Sequence, residues 1–196
     1  MFILYAIPIG IVAGYAIGGR LEHLRQVRLR WVPVALVGLA VQVVLFAPWF
    51  GSWPDGVVPL VYQASTLAVF VAVLRNLQVP GVALIAIGAG CNLLAIVANG
   101  GWMPADPAAL ASVGGLPAGP SNSIVLVDPA LQPLTDLFAL PAWLPFANVF
   151  SVGDILIGAG VAATFALGMR TPRTDPTSES EAETETAELP PEEAAA

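Results

Sequence analysis

Five long apolar stretches, separated by shorter breaks rich in polar residues, glycine and proline, set the pattern of this chain. About 20 mostly apolar residues cross a bilayer as an α-helix, because a helix satisfies its backbone polar groups within the segment. The pattern therefore predicts an all-α integral membrane protein with five transmembrane helices. The predicted spans are residues 2–19, 31–50, 57–74, 79–98 and 152–168.

The composition agrees with a membrane location. Hydrophobic residues make up 57% of the chain and charged residues only 11%, whereas about 25% charged residues is typical of soluble domains. We expect one bundle over residues 1–170, in which a structured outer-face segment, residues 99–151, connects the fourth and fifth helices.

The basic residues predict the orientation of the bundle. All seven are arginines, and in a five-span arrangement all of them fall on one side of the membrane. Because basic residues of short loops stay in the cytoplasm, we expect a cytoplasmic-membrane protein with its N-terminus outside and its C-terminus in the cytoplasm. The arginines are Arg20, Arg25, Arg28, Arg30, Arg75, Arg170 and Arg173.

Residues 171–196 differ from the rest of the chain. Eight of the chain's 14 acidic residues follow Arg173, among Ser, Thr, Ala and Pro and almost no large apolar residue. Such a composition buries too little surface to offset the entropy of ordering. It predicts a disordered acidic cytoplasmic tail, which either keeps the chain solvated or binds a basic partner.

Small residues at four-residue spacing indicate close helix packing. Gly10, Gly14 and Gly18 line one face of the first span, and such ridges let helix backbones approach closely in lipid. The ridge serves either packing within the chain or self-association. The expected partners are membrane lipids and, as alternatives, another membrane protein or a second copy of this chain; no nucleic acid is expected.

The 99–151 segment is too long for a simple connection. Asp106 followed by Pro107 is typical of a helix start, and Gly114 and Gly115 would end that helix. Asp128 and Pro129 repeat the signal and predict a second helix. Ser151 with Asp154 three positions later predicts a capping box at the start of the last span.

Polar residues of the 99–151 segment and its border suggest a ligand site. Asp154 is either a helix cap alone or one wall of a shallow outward-facing pocket, in which carboxylates, amides and glycine backbone amides hold a small polar ligand or a cation. The ligand-binding candidates are Asn99, Gly100, Gly101, Asp136, Asn148 and Asp154.

Few other residues carry chemistry. Gln42, Gln63 and Asn92 lie inside predicted spans, where interhelical hydrogen bonds are the ordinary explanation and a substrate-lining role is the alternative. His23 is the single histidine and is expected to be solvated or to face lipid headgroups, so histidine pairs for haem or metal are excluded. We expect no cofactor, no metal site and no catalytic residue.

Several short motifs carry a family resemblance. They are Asn99-Gly100-Gly101 with Met103-Pro104, then Asn122-Ser123, and finally the run from Asn148 to Asp154 that opens the last span. With these motifs, residues 1–170 resemble the bacterial multi-pass membrane family known as domain of unknown function 5317. The resemblance implies a membrane location and a similar helix count, and it brings no activity.

Three functions remain open from the sequence. The first is a non-catalytic accessory or scaffold protein, favoured by the lack of catalytic groups. The second is a small transporter or ligand-binding membrane protein that uses the outward-facing pocket. The third is a lipid- or isoprenoid-modifying enzyme, which is disfavoured because the acidic residues are not clustered.

Overall fold

The computed structural model describes residues 2–47, 53–54, 56–115 and 121–170. This part of the chain is mostly helical, as predicted. Its α-helices are α1 (Ala6–Ala16), α2 (Val32–Leu45), α3 (Val57–Leu74), α4 (Val82–Ala98), α5 (Pro107–Ser112) and α6 (Val152–Gly168). Its strands are β1 (Met103–Pro104), β2 (Ser123–Ile124), β3 (Phe138–Ala139) and β4 (Val149–Phe150). The predicted disordered tail lies outside the described residues.

The five apolar helices lie where the sequence predicts them, but most are shorter than the predicted spans. Among the described residues, α3 is long and apolar enough to cross a membrane. The helices α2, α4, α6 and the stretch Ile3–Ala16, which begins as a 3₁₀ turn, are apolar and 10–17 residues long. Five membrane crossings therefore stay a prediction.

The helices pack in the neighbour order α2, α3, α4, α6, α1. The last helix of the chain thus lies between the first and the fourth. Glycines allow α6 to approach both of its neighbours closely. A methyl group on Gly10 of α1 would lie 2.6 Å from the carbonyl oxygen of Ala162 on α6. A methyl group on Gly160 of α6 would lie 2.7 Å from the carbonyl oxygen of Gly81, just before α4.

The predicted glycine ridge of α1 is used within the chain. Gly10 and Gly14 are buried against α6, where they face Ala162 and Met169. A methyl group on Gly18 would meet nothing within 4 Å, and the residue has a positive φ of 81°. Packing inside the chain accounts for two of the three glycines, and self-association through the ridge stays a prediction.

The arginine-bearing loops meet at one end of the bundle, which we call the arginine end. The amide of Arg20 and the Nδ1 of His23 both donate to the carbonyl of Met169, at 2.7 and 2.8 Å. The amide of Arg30 donates to the Oδ1 of Asn76 at 2.6 Å. The half-buried ring of His23 ties the loop after α1 to the end of α6. A solvated or headgroup-facing role for the rest of the ring stays a prediction.

The 99–151 segment lies at the opposite end of the bundle and has short elements of its own. α5 begins as predicted: the Asp106 carboxylate accepts from the amides of Ala108 and Ala109, both at 2.9 Å. β1 pairs with β2 in parallel, and β3 pairs with β4 antiparallel. These strands have two residues each, which is too short for an alternating pattern to reveal.

The second helix predicted for this segment was wrong. After Asp128 the described chain forms a 3₁₀ turn, Gln132–Leu134, and then β3. Pro133 lacks an amide proton, and Leu131 has a positive φ of 53°. Both features interrupt a regular α-helix.

Glycine ends α4 where the segment begins. The amide of Gly101 donates to the carbonyl of Ile96 at 2.8 Å, and φ at Gly101 is 92°. A methyl group there would lie 2.5 Å from the Cβ of Pro59 on α3. Gly101 is therefore required both for its left-handed backbone and for the close approach of α3.

Candidate functional site

Polar side chains from several elements converge where the 99–151 segment meets α3, α4 and α6. We call this group the junction cluster. It consists of Tyr62, Asn92, Asn122, Ser123, Asp136, Ser151 and Asp154.

The start of α6 is fastened to α4 by a closed set of hydrogen bonds. Ser151 and Asp154 form the predicted capping box, with the Asp154 amide 3.0 Å from the Ser151 Oγ and the Ser151 amide 3.1 Å from the Asp154 Oδ2. Asn92 of α4 then bonds both residues: its Nδ2 donates to the Asp154 Oδ1 at 2.9 Å, and its Oδ1 accepts from the Ser151 Oγ at 2.8 Å. The sequence predicted the box but not the role of Asn92 as its partner.

Asp136 is the buried acid of the cluster. Its backbone is held by the carbonyl of Pro104 and the amide of Asp106, each at 2.9 Å, and only 6% of the residue is exposed. Its Oδ2 accepts from the Ser123 Oγ over a long 3.5 Å. Burial and the nearby Asp154 carboxylate raise the pKa of Asp136 from 3.8 to about 7, because both disfavour a second negative charge there.

Tyr62 links α3 to the same cluster. Its buried hydroxyl accepts from the Nδ2 of Asn122 at 3.2 Å, and its ring meets Phe46 edge-on with centroids 5.2 Å apart. The Tyr62 side chain is within electrostatic range of Asp136 and Asp154. Nothing in the apolar run around Tyr62 pointed to this role, whereas Asn122 and Ser123 already stood out as a polar motif.

Asn99 and Gly100 do not join the junction cluster. The side-chain amide of Asn99 instead bonds to the backbone of Ala130. Its Oδ1 accepts from the Ala130 amide and its Nδ2 donates to the Ala130 carbonyl, both at 2.9 Å. Gly100 is exposed with open space around its Cα, and Gly101 packs on Pro59 and Gln63. These residues shape the turn after α4.

Asn148 carries an unsatisfied atom. Its Nδ2 donates to the carbonyl of Val149 at 2.7 Å, and its Oδ1 is buried without a hydrogen-bond partner among the described residues. A buried unpaired acceptor costs about 1–3 kcal/mol. No hydrogen bond in the described part of the chain joins Asn148 to Asp136 or Asp154. The structure thus brings together two of the predicted site residues, Asp136 and Asp154, and ligand binding there stays a prediction.

The polar residues inside the predicted spans have protein partners. Gln42 of α2 donates to the Thr66 Oγ1 of α3 at 3.2 Å, and Asn92 joins α4 to α6. These are the interhelical hydrogen bonds expected for them. Gln63 donates to the carbonyl of Pro59 within its own helix at 3.2 Å.

Within residues 2–47, 53–54, 56–115 and 121–170, no group of three or more His, Cys, Asp or Glu side chains is close enough to hold a metal ion. The junction cluster instead combines two carboxylates with amides and hydroxyls. Such groups fasten protein elements together or hold a proton or a small polar ligand.

The fold and the cluster define a class: a protein of apolar helices whose polar groups gather beneath an irregular segment at one end of the bundle. The chain belongs to the family of unknown function DUF5317, whose model matches residues 26–166. This confirms the family resemblance. The match includes the whole junction cluster and leaves out α1. No curated protein and no solved structure matches the chain.

Proposed function

We propose that this chain is a multi-pass protein of the bacterial cytoplasmic membrane that acts as a non-catalytic accessory or scaffold protein. The observation that carries the proposal is the bonding of the junction cluster. Its amides and hydroxyls bond to one another and to the two carboxylates, and these bonds fasten α3, α4 and α6 to the 99–151 segment. A rigid polar junction on an apolar bundle suits a protein that presents a fixed surface.

The exposed faces of the helices support a membrane location. Large apolar side chains are exposed along α1, α2 and α3, including Val12 at 68%, Val43 at 67% and Leu60 at 70%. Soluble monomers rarely expose apolar patches of this extent, and lipid tails would cover these side chains without cost.

The charge distribution supports the orientation. The described arginines gather at the arginine end, while Asp106, Asp128, Asp136 and Asp154 lie at the other end. The positive-inside rule then puts the arginine end in the cytoplasm and the 99–151 segment outside.

Native mass spectrometry of the full chain, extracted from its own membrane under mild conditions, tests the scaffold role. We expect a stoichiometric protein partner. Asn92→Ala should reduce that complex because it loosens the junction cluster, whereas Gln42→Ala, which also removes an interhelical hydrogen bond, should leave it intact. A lone chain in every preparation, or an equal loss in both variants, would contradict the proposal.

A second function, a transporter or ligand-binding protein of the outer face, is favoured by one observation. Asp136 is buried close to Asp154 with one long hydrogen bond. A bound cation would relieve the repulsion between the two carboxylates. The third function, a lipid- or isoprenoid-modifying enzyme, stays a prediction.

Thermal unfolding at pH 8 in NaCl, KCl or CaCl₂, compared with choline chloride, tests this second function. If a cation binds between the carboxylates, one salt raises the unfolding midpoint, and Asp136→Asn abolishes the effect. Asp128→Asn removes an exposed charge of the same segment and serves as the control. Equal midpoints in all four salts would exclude a cation as the ligand.

A further inference from the structure

An apolar groove runs along the contact between α2 and α3. Its larger part has a volume of about 510 Å³ and is lined by Pro33, Val37 and Val41 of α2 and by Val61, Ala64 and Ala68 of α3. A second part of about 290 Å³ shares Val37, Val41 and Val61 and continues to Leu45 and Val57. The groove therefore follows most of α2, a length of about 20 Å at 1.5 Å per residue.

Small and β-branched side chains keep this groove open. The helices touch at Gly38, where a methyl group would lie 2.7 Å from the Val69 Cγ2, and at the Gln42–Thr66 hydrogen bond. The residues beside these contacts are mostly alanines and valines. Alanine side chains are too small to fill the space, and valine side chains have restricted rotation about χ1 and cannot turn to fill it. The result is a long trough rather than a closed interface.

One mouth of the groove is positively charged. Pro33 stands at the arginine end, two residues after Trp31, and the Arg75 guanidinium lies over the Trp31 ring, 5.3 Å from its centroid. The side chain of Asn76 holds the backbone of Arg30 beside the end of α3. The Arg30 amide donates to the Asn76 Oδ1 at 2.6 Å, and the Asn76 Nδ2 donates to the Arg30 carbonyl at 2.8 Å. Arg28 lies two residues earlier in the same loop.

These charges are not neutralised within the described part of the chain. The ion pair found there joins Arg20 to Glu22, and the side chains of Arg28, Arg30 and Arg75 are exposed. An apolar trough with a cationic mouth matches an anionic lipid, which has a hydrocarbon chain next to a phosphate. Lysine and arginine near the cytoplasmic surface attract anionic lipids by about 1 kcal/mol each.

We propose that the groove between α2 and α3 binds an anionic phospholipid of the cytoplasmic leaflet, with one acyl chain along Val37, Val41 and Ala64 and the phosphate at Arg30 and Arg75. The inference rests on the membrane location given under Proposed function. It adds a specific lipid site and does not depend on the scaffold role. The positively charged mouth beside the apolar trough favours a phospholipid over a neutral apolar molecule.

Native mass spectrometry of the purified full chain tests the site, with dioleoyl phosphatidylglycerol and dioleoyl phosphatidylcholine added in turn. The two lipids have identical acyl chains and differ in headgroup charge. We expect phosphatidylglycerol to bind more tightly than phosphatidylcholine. Arg30→Gln with Arg75→Gln should weaken it by about 25-fold, since each arginine contributes about fivefold, whereas Arg25→Gln with Arg170→Gln removes the same charge elsewhere and should change it less than twofold.

Filling the trough tests the position of the acyl chain. Val37→Phe and, independently, Ala64→Phe place a ring in the groove at positions that are exposed and tolerate a larger side chain. Both should lower binding of phosphatidylglycerol at least fivefold. Ala159→Phe, on the exposed face of α6, is the control and should have no effect.

The outcomes separate the lipid site from the membrane location. Equal binding of the two lipids, or equal loss in the two arginine pairs, would overturn the site while the chain stays membrane-bound. Release of the chain from membranes by an alkaline carbonate wash would instead overturn the membrane location. Unchanged unfolding midpoints of the variants show that each loss reflects the groove and not misfolding.

Discussion

Asn92 illustrates how one residue decides the geometry of the junction cluster. Both ends of its amide are used, one on the Asp154 carboxylate and one on the Ser151 hydroxyl. Ser151 is fully buried, with 0% of its surface exposed, so its hydroxyl is satisfied by protein partners and not by bulk water. The amide of a single side chain therefore joins α4 to the start of α6.

Replacing Asn92 with alanine should destabilise the chain by about 1–3 kcal/mol, because the buried Ser151 hydroxyl and the half-buried Asp154 carboxylate would lose their partner. Gln42→Ala removes a single hydrogen bond between two half-buried side chains, for which about 0.6 kcal/mol is typical in a membrane. Thermal unfolding in one detergent measures both. Equal losses of stability would mean that the hydrogen bonds of Asn92 contribute no more than an ordinary interhelical hydrogen bond.

Asp136 should make stability depend on pH. Its pKa is about 7 in the folded chain against a usual 3.8, so between these values the folded state binds more protons than the unfolded state. The contribution of Asp136 to stability is therefore largest below about pH 4, falls as the pH rises to 7, and stays low above it.

Asp136→Asn should remove this fall, because the amide stays neutral beside Asp154. At pH 8 the variant should be more stable than the wild type by on the order of a few kcal/mol. Unfolding midpoints from pH 4.5 to 8.5 measure the effect, with Asp128→Asn as the exposed control. A wild-type curve that is flat or rises with pH would contradict the raised pKa.

At the scale of elements, close backbone contact sets how α6 packs between α1 and α4. Gly88 of α4 lies against the backbone of Gly153, and Gly81 lies against that of Gly160. Glycine pairs of this kind let membrane helices approach closely. The same closeness positions Asn92, one turn after Gly88, against the capping box of α6.

Two glycines of α4 should respond differently to alanine. Gly88→Ala puts a methyl group against the Gly153 carbonyl and the Ile157 side chain, so we expect a loss of about 1–3 kcal/mol. Gly90→Ala meets only the Phe70 ring at 3.5 Å, and alanine favours a helix by about 1 kcal/mol. The difference in unfolding midpoint between the two variants measures the packing. A neutral Gly88→Ala would show that α4 and α6 are less close.

At the scale of the whole molecule, charge is separated along the bundle. The arginine end joins the loops after α1 and α3 to the end of α6, and the 99–151 segment with its aspartates lies opposite. This separation depends on α6 running back between α1 and α4. It gives the bundle two chemically different ends, which agrees with the proposed fixed orientation in a membrane.

Single cysteines test this orientation. In a Cys91→Ala background, Val127→Cys is fully exposed on the 99–151 segment and Gln26→Cys is exposed at the arginine end. A membrane-impermeant maleimide on intact cells should label position 127, and position 26 should be labelled only after permeabilisation. The reverse pattern would invert the topology.

Local signals in the sequence determined much of this protein. The five apolar helices, the Asp106 cap of α5 and the Ser151–Asp154 capping box were all predictable, because each depends on residues a few positions apart. The Asp128–Pro129 signal failed, although it looked the same, because Pro133 and the left-handed Leu131 interrupt the helix that it predicted.

The tertiary structure decided what brings distant residues together. Tyr62 meets Asn122 because the 99–151 segment folds onto the end of α3, Asn92 meets Asp154 because α4 packs closely on α6, and Ser123 meets Asp136 through the fold of the segment itself. The raised pKa of Asp136 likewise depends on burial and on a carboxylate 18 residues away in sequence. Hydrophobic patterns and caps act through the local backbone, whereas desolvation and charge coupling depend on distances that packing alone sets.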